Sequence, residues 1–462
     1  MKTRSLVIAL AFVAAVAPGA SGAPQGKWTQ LTTGGGQSGT RNVGVARTSD
    51  GALHVVWQRE PGAVLHTSIA PSGRVGSATQ IVTGWAGIGD ADVAVGARGE
   101  LLAFWAGART TNTGEPLFGL NLATSTTGGT SWALTPASIF TGNFAHARTP
   151  NVAVVNGVPI QTWYAVGEPF VHVGLDPNNP GVLHAPPGTN QSIAADPASG
   201  ETWIAWCNGL TPTAGLGVWV ERVDPATGAA AAAAVRVPGS FTRFQGADAH
   251  LCPPAARTPL VARAGGGFFV ATVTGYPTET DLIVWRIGSA RPVVVARSKD
   301  GLSEEVALAA DPSGRIWVGW SDRAPSGRPV VYFRRSNRAA TAWGATVAVN
   351  APAQSTDFAN LDLAAQTGRL DVVARFSTGT TPNLFHTQVS PGLTLIAKGG
   401  KVVAFRVLDA GDPVAGATIK VGGRTLKTNA AGAASTDLRP GRYKAVASKA
   451  GYVSATARVR SA

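Results

Sequence analysis

One frame recurs seven times along this chain: a glycine, five residues of mostly β-forming character, and usually a tryptophan. Full copies start at Gly51 (GALHVVW), Gly99 (GELLAFW), Gly157 (GVPIQTW), Gly200 (GETWIAW) and Gly314 (GRIWVGW). Gly266 (GGFFVAT) and Gly368 (GRLDVVA) keep the glycine and the strand pattern but lose the tryptophan. Successive glycines lie 43 to 66 residues apart. That period suits one small antiparallel sheet per repeat, and periods of this size signify stacked or radial arrays.

A short apolar strand and a turn precede each glycine, as in Ser49-Asp50-Gly51 and Asp311-Pro312-Ser313-Gly314. Asp caps such turns and Gly supplies positive φ, so the first two strands of each unit are predicted to form a hairpin. A third strand follows every copy and a fourth follows most. Four strands repeated about seven times predict an all-β chain built on a β-propeller of seven blades, with six as the alternative. Lys27-Trp28-Thr29-Gln30-Leu31 precedes any repeat and looks like a fourth strand. The last repeat lacks one, so the N-terminal segment is predicted to complete the last sheet and remove an open edge.

Residues 1–22 read as a secretory signal: Lys2 and Arg4, an apolar stretch over Leu6 to Ala17, then small residues ending at Gly22. No later segment is long and apolar enough to span a bilayer, so an exported monomer is expected. Export permits a disulfide. Cys207 and Cys252 fall on one rim of adjacent sheets in the propeller, which predicts a bridge between them; two separate thiols are the alternative. There is no CxxC or HExxH, and the seven histidines are scattered. No metal or cofactor is expected.

Two family resemblances rest on specific residues. Ser125-Thr126-Thr127-Gly128-Gly129-Thr130-Ser131-Trp132 resembles the Asp-box of sialidase-type (BNR-repeat) propellers, with Thr127 in place of the aspartate and Ser131 in place of the threonine. Ser336 to Trp343 is a more degraded copy. The likeness covers roughly residues 27 to 392 and implies a propeller, the box being a structural turn. From residue 393, Val407-Leu408-Asp409, Pro413 to Ala417, Thr428-Asn429, Gly432, Leu438, Gly441-Arg442-Tyr443 and Gly451-Tyr452 resemble a carboxypeptidase regulatory-like domain, a small transthyretin-like β-sandwich. That resemblance implies an accessory unit over residues 393–462, after a propeller over 23–392.

Charge is uneven. The formal net charge is +13. Residues 393–462 hold 12 Lys and Arg against three Asp, or +9. Such a unit is drawn to polyanions. No nucleic-acid recognition motif is present, so nucleic acid is not an expected partner.

The ligand face of a propeller is the rim where first strands begin and where second strands end. The first-strand positions there are Arg41, Asp90, Arg148, Gln191, Arg257, Glu305 and Ala359. The loops after the repeat tryptophans add Arg59, Glu60, Arg109, Glu168, Asp322, Arg323 and Arg375. Ligand contacts are expected from Arg41, Arg148, Arg257, Glu305, Arg109 and Asp322. Arg148-Thr149-Pro150 and Arg257-Thr258-Pro259 are similar to the Arg-Ile-Pro motif of sialidases. That resemblance implies arginines gripping a sugar carboxylate, with Tyr276 and Glu279 as a nucleophile pair and Asp90 or Glu60 as the acid. The function expected is non-catalytic binding of a glycan or anionic polymer outside the cell, in association with the cell wall. The alternatives are a sialidase-like exo-glycoside hydrolase and a protein-interaction scaffold.

Overall fold

The computed structural model describes residues 26–32, 43–59, 62–85, 87–110, 116–135, 147–165, 171–174, 182–184, 188–209, 215–240, 257–274, 280–298, 302, 305–323, 326–379 and 381–462. Every regular element among them is a strand. Seven antiparallel four-stranded sheets lie between Thr29 and Val389, and two more between Thr394 and Ser461.

The repeat frame explains each of the seven sheets. All seven repeat glycines adopt positive φ, from 74° at Gly200 to 95° at Gly266, a region that costs a side chain but not glycine. Each closes the turn between a first and a second strand. In the first sheet Asp50 Oδ1 accepts the Ala52 amide at 3.1 Å, and in the sixth Asp311 Oδ1 accepts the Ser313 amide at 2.8 Å.

The first strands are Gly44–Arg47, Gly87–Val95, Ala147–Val155, Thr189–Ala195, Leu260–Ala262, Val306–Ala310 and Ser355–Gln366. Each touches the first strand of the next sheet, and the seventh touches the first. The sheets therefore stand around a common axis with their first strands innermost, as in a β-propeller. The seventh sheet draws three strands from its own repeat. Its fourth is Thr29–Gln30, which pairs Thr29 with His386 and Gln30 with Phe385. The Leu31 amide extends the ladder, donating to the Leu384 carbonyl at 2.8 Å.

The repeat tryptophans hold neighbouring sheets together. Trp57 packs with Val373 and Leu384 of the seventh sheet, Trp105 with Val56 and Val64 of the first, and Trp163 with Ala106 and Leu120 of the second. Trp206 packs on Val171 and Val173 of the third, and Trp320 on Phe269 and Val284 of the fifth. Each tryptophan thus fills the seam with the sheet before it in the ring. In the fifth and seventh sheets, which lack the repeat tryptophan, Trp285 and Phe376 stand in the corresponding seams. Full burial of such a side chain is worth about 2–3 kcal/mol in area removed from water.

The Asp-box-like turn works with hydroxyls. Ser125 Oγ accepts the Gly129 amide at 2.9 Å, and Thr127 Oγ1 accepts the Ser131 amide at 3.0 Å, the service an aspartate gives elsewhere. Gly129 sits at φ 87°, and a Cβ there would lie 1.9 Å from Cε1 of His66, so the turn of the second sheet packs directly on a buried histidine of the first. In the degraded copy Asn337 Oδ1 accepts the Thr341 amide at 2.8 Å, and Ser336 pairs with Trp343.

The last propeller strand ends at Val389, and the next begins at Thr394. One C-terminal sheet holds Thr394–Lys398, Val402–Asp409, Asp412–Pro413 and Ala433–Asp437. The other holds Arg424–Lys427, Thr418–Val421, Gly441–Ser448 and Ala455–Ser461. Leu395, Phe405 and Val407 of the first share one core with Ile419, Ala445 and Val459 of the second.

Buried charge joins this unit to the sixth propeller sheet. Asp409 pairs with Arg335, lies 3.5 Å from Arg315 Nη1 and accepts the Tyr452 hydroxyl at 3.4 Å. Arg315 Nη2 also meets Asp412 Oδ2 at 2.6 Å. The Arg335 guanidinium lies 5.3 Å from the Trp317 ring centre and 5.8 Å from that of Tyr452, within cation–π range on both sides.

Candidate functional site in the central channel

The inner strands leave a cavity of about 230 Å³ on the ring axis. All seven contribute to its wall, through Val45, Asp92, Asn151, Ser192, Leu260, Val306 and Asp362. Inner strands are buried on both sides and read as apolar runs, so each polar side chain here interrupts a pattern. Asp92 interrupts Ala-Asp-Val-Ala-Val, Asn151 interrupts Pro-Asn-Val-Ala-Val, and Asp362 interrupts Leu-Asp-Leu-Ala.

Asp92 is the hub. Its Oδ2 accepts the Asn151 side-chain amide at 2.7 Å and the Val152 backbone amide at 2.9 Å. Its Oδ1 accepts the Val93 amide at 2.9 Å. Asn151 passes the chain onward, its Oδ1 accepting the Ile193 amide at 2.7 Å. Ser192 Oγ donates to the Thr258 carbonyl. Side chains thus bond across the channel between the second, third, fourth and fifth sheets, where no β-ladder runs.

Arg257 opens the fifth sheet and reaches across the axis. Nη1 lies 3.5 Å from Asp92 Oδ1, and Nη2 donates to the Pro150 carbonyl at 3.2 Å and, more weakly, to that of Ala91 at 3.5 Å. Its Nε is buried without a hydrogen-bond partner. The guanidinium is a strut between sheets already facing a carboxylate.

Two further carboxyls line the cavity, Glu305 and Asp362. Burial raises Glu305 to about 7; the Asn360 amide that it accepts and the nearby Arg375 work against the rise, while Asp362 adds to it. Burial likewise raises Asp362 to about 7, opposed by Arg257 and reinforced by Asp92 and Asp90. Near neutral pH the pair therefore offers both proton donors and acceptors, the condition under which carboxyl groups recognise hydroxyls or exchange protons.

The expected rim residues distribute unevenly. Arg257 and Glu305 line the cavity. Asp90 is buried beside it and acts electrostatically on Asp362. Gln191 is also buried, one residue before Ser192. Asp322 lies at the end of Ile316–Arg323, away from the cavity wall, where it accepts the Arg323 amide at 2.7 Å. Arg323 itself pairs with Asp357 at 3.0 Å on the surface. Arg109 and Arg148 lie on the described strands Leu101–Thr110 and Ala147–Val155, with their side chains outside the described set. Arg41, Tyr276, Glu279 and Cys252 lie outside the described residues. Cys207 is buried and is not a free thiol.

Sequence reasoning missed Asp92, Asn151, Asp362 and Asn360. They sit six to eight residues before their repeat glycines, deeper than the rim positions. Among the described residues no cluster of His, Cys, Asp and Glu suits a metal ion, and no helix is long and apolar enough to cross a membrane.

No protein-family model and no curated protein matches this chain. Solved structures are similar to it at low identity. A protein of unknown function from Dyadobacter fermentans is 12% identical with a TM-score of 0.45, over 79% of this chain and 99% of that one. A polysaccharide lyase is 12% identical with a TM-score of 0.44, over 78% and 92%. A Hadza microbial sialidase is 12% identical with a TM-score of 0.42, over 76% and 65%.

Proposed function

We propose that this chain is a secreted seven-bladed β-propeller that binds a neutral glycan in its central channel without turning it over. In this reading residues 1–22 are removed on export, and residues 393–462 are a carboxypeptidase regulatory-like accessory sandwich. Cys207 bridges to Cys252, so thiol titration of the unfolded, unreduced protein finds no free thiol.

The observation that carries the reading is the charge balance of the cavity wall. Among the described residues of the wall, Asp92, Glu305 and Asp362 supply three carboxyl groups, and the Arg257 guanidinium faces Asp92. An acidic sugar entering such a cavity meets carboxyl groups and an arginine whose charge is already balanced, which disfavours it. A neutral sugar offers hydroxyl protons to the carboxylates and hydroxyl oxygens to protonated carboxyls. The fixed network from Asp92 through Asn151 to Ile193 holds these partners in place before the ligand arrives, and preorganisation of this kind favours affinity. The volume suits a single sugar ring, the rest of a chain lying toward the rim.

The test is a glycan array read with the mature protein and with Asp362→Ala. Retention of neutral glycans by the wild type and its loss in the variant supports the reading. Retention confined to sialylated or uronate-bearing glycans defeats it.

A second reading, hydrolysis, is favoured by the Glu305 and Asp362 pair, since carboxyls shifted toward neutrality are the groups glycosidases use as acid and base. Under it, glycans bound on the array release reducing ends with time, and Glu305→Gln and Asp362→Asn each stop release while retaining binding. Stable retention without release leaves binding as the function.

A further inference from the structure

Six cations share the outer face of one C-terminal sheet. Lys420 and Lys427 lie on Thr418–Val421 and Arg424–Lys427, Arg442 and Lys444 on Gly441–Ser448, and Arg458 and Arg460 on Ala455–Ser461. All six are exposed. Ile419, Ala445, Ala447 and Val459 alternate with them and enter the shared core, so the pleat sends the charged set to the other side. Among the described residues, that side carries no Asp or Glu side chain. The acidic residues of the unit are elsewhere: Asp409 and Asp412 in the joint with the propeller, and Asp437 on the other sheet.

The register sharpens the observation. Arg442 stands directly opposite Arg460, and Lys444 directly opposite Arg458. Like charges facing one another across a strand pair destabilise a sheet. No ion pair among the described residues relieves any of the six. A fold that keeps four cations in two opposed pairs, with no internal counter-charge, is suited to a counter-charge from outside.

We propose that this face docks a linear anionic polysaccharide, a chain bearing sulfate or carboxylate groups, laid across the strands. Strands about 4.8 Å apart and alternate residues about 6.6 Å apart set the cations in a flat grid rather than a pocket. A grid engages repeating charge along a polymer, and the arginine forks match sulfate and carboxylate oxygens in pairs. The exposed large aliphatics of this unit, Ile396 and Val402, belong to the other sheet. The basic face thus lacks the apolar wedge that a lipid surface rewards and an aromatic platform for nucleic-acid bases. It is also clear of the propeller. This sheet meets the joint at Tyr452 and Val453, in the loop between Gly441–Ser448 and Ala455–Ser461, whereas Arg442 and Arg460 mark the opposite ends of those strands. This inference is independent of what the central channel binds.

The experiment uses the full mature protein on immobilised heparin, eluted with a sodium chloride gradient. Lys444→Glu combined with Arg458→Glu is compared with Lys398→Glu combined with Arg406→Glu, an equal change of charge on the outer face of the other sheet. Dissociation constants for heparin in solution at 0.15 M salt accompany the gradient, since binding of this kind is screened by salt. The proposal expects earlier elution and affinity at least about tenfold weaker for the first pair, and near wild-type behaviour for the second. Lys444→Gln combined with Arg458→Gln separates docking from folding: it weakens heparin binding while the melting temperature holds or rises. Equal shifts for the two glutamate pairs reduce the effect to net charge and overturn the proposal. So does binding to phosphatidylserine vesicles or to duplex DNA that exceeds binding to heparin at the same salt.

Discussion

The Arg47 guanidinium of the first sheet sits 2.7 Å from the Asp371 carboxylate of the seventh, so a buried ion pair spans the seam where the ring closes. Asp371 also accepts hydrogen bonds from Gln366 at 2.8 Å, His386 at 2.8 Å and Gln388 at 2.9 Å. Burial alone would raise its pKa, but the bond from His386 and the charge of Arg47 outweigh it and hold the group at about 2. Arg47→Met leaves that carboxylate buried without its cation, and the expected loss of stability is about 3 kcal/mol. Urea unfolding checks it, with Arg47→Met combined with Asp371→Leu recovering part of the loss. Because the folded pKa is depressed, the contribution of Asp371 is complete above its usual 3.8 and disappears as pH falls toward 2.

His54 Nδ1 and His66 Nε2 are 3.0 Å apart in the first sheet, both buried, with Thr79 on the far side of His66 at 3.2 Å. Burial lowers both histidines, and the neighbouring ring lowers His66 further, to about 4. A base with a depressed folded pKa stabilises fully above its usual 6.5, and the contribution is lost as pH falls through about 4. His66→Gln removes that titration. Melting temperatures between pH 7 and pH 4 should fall more steeply for the wild type than for the variant; parallel profiles would refute the prediction.

The channel carboxyls act in the opposite sense. The folded pKa of Asp362 is raised to about 7, so its contribution is complete below 3.8 and is lost as pH rises through 7. Relative to Asp362→Asn, the wild type should lose stability between pH 5 and pH 8, measured as the shift in urea midpoint. His66 and Asp362 act in opposite senses below the histidine's usual 6.5, so each is read as the difference between the wild type and its own variant.

Asp409 anchors the C-terminal unit through Arg335, Arg315 and Tyr452. Asp409→Ala strands the buried Arg335 guanidinium and should cost about 3 kcal/mol at the joint. Calorimetry should then resolve two transitions where the wild type gives one, and limited proteolysis should cut between residues 389 and 394. A single unshifted transition would mean that Asp409 does not anchor the joint, which apolar contact and the Arg315 to Asp412 pair then hold.

The fold was largely legible because its signals are local. A glycine at positive φ, an aspartate in the turn and a tryptophan at fixed phase identify each hairpin and each seam, and the lone Lys27–Leu31 strand pointed to closure. The site was less legible because it is made by convergence. The phase of Arg257 and Glu305 before an inner strand placed them near the ring axis, and both line the cavity. Asp92, Asn151 and Asp362 were missed because a single polar residue in an apolar strand has no local motif, and it gains meaning only when seven such strands face one axis. The ion pairs of Arg47 with Asp371 and of Arg335 with Asp409 link residues too distant in sequence for any spacing to announce them.

The central claim is that a neutral sugar occupies the ring axis. Crystals of the mature protein soaked with an array-positive oligosaccharide test it most directly. The account predicts electron density for one sugar ring in the cavity, with hydroxyls on Asp362 and Glu305. Density seated elsewhere on the propeller, with the channel network unchanged and empty of sugar, would contradict it.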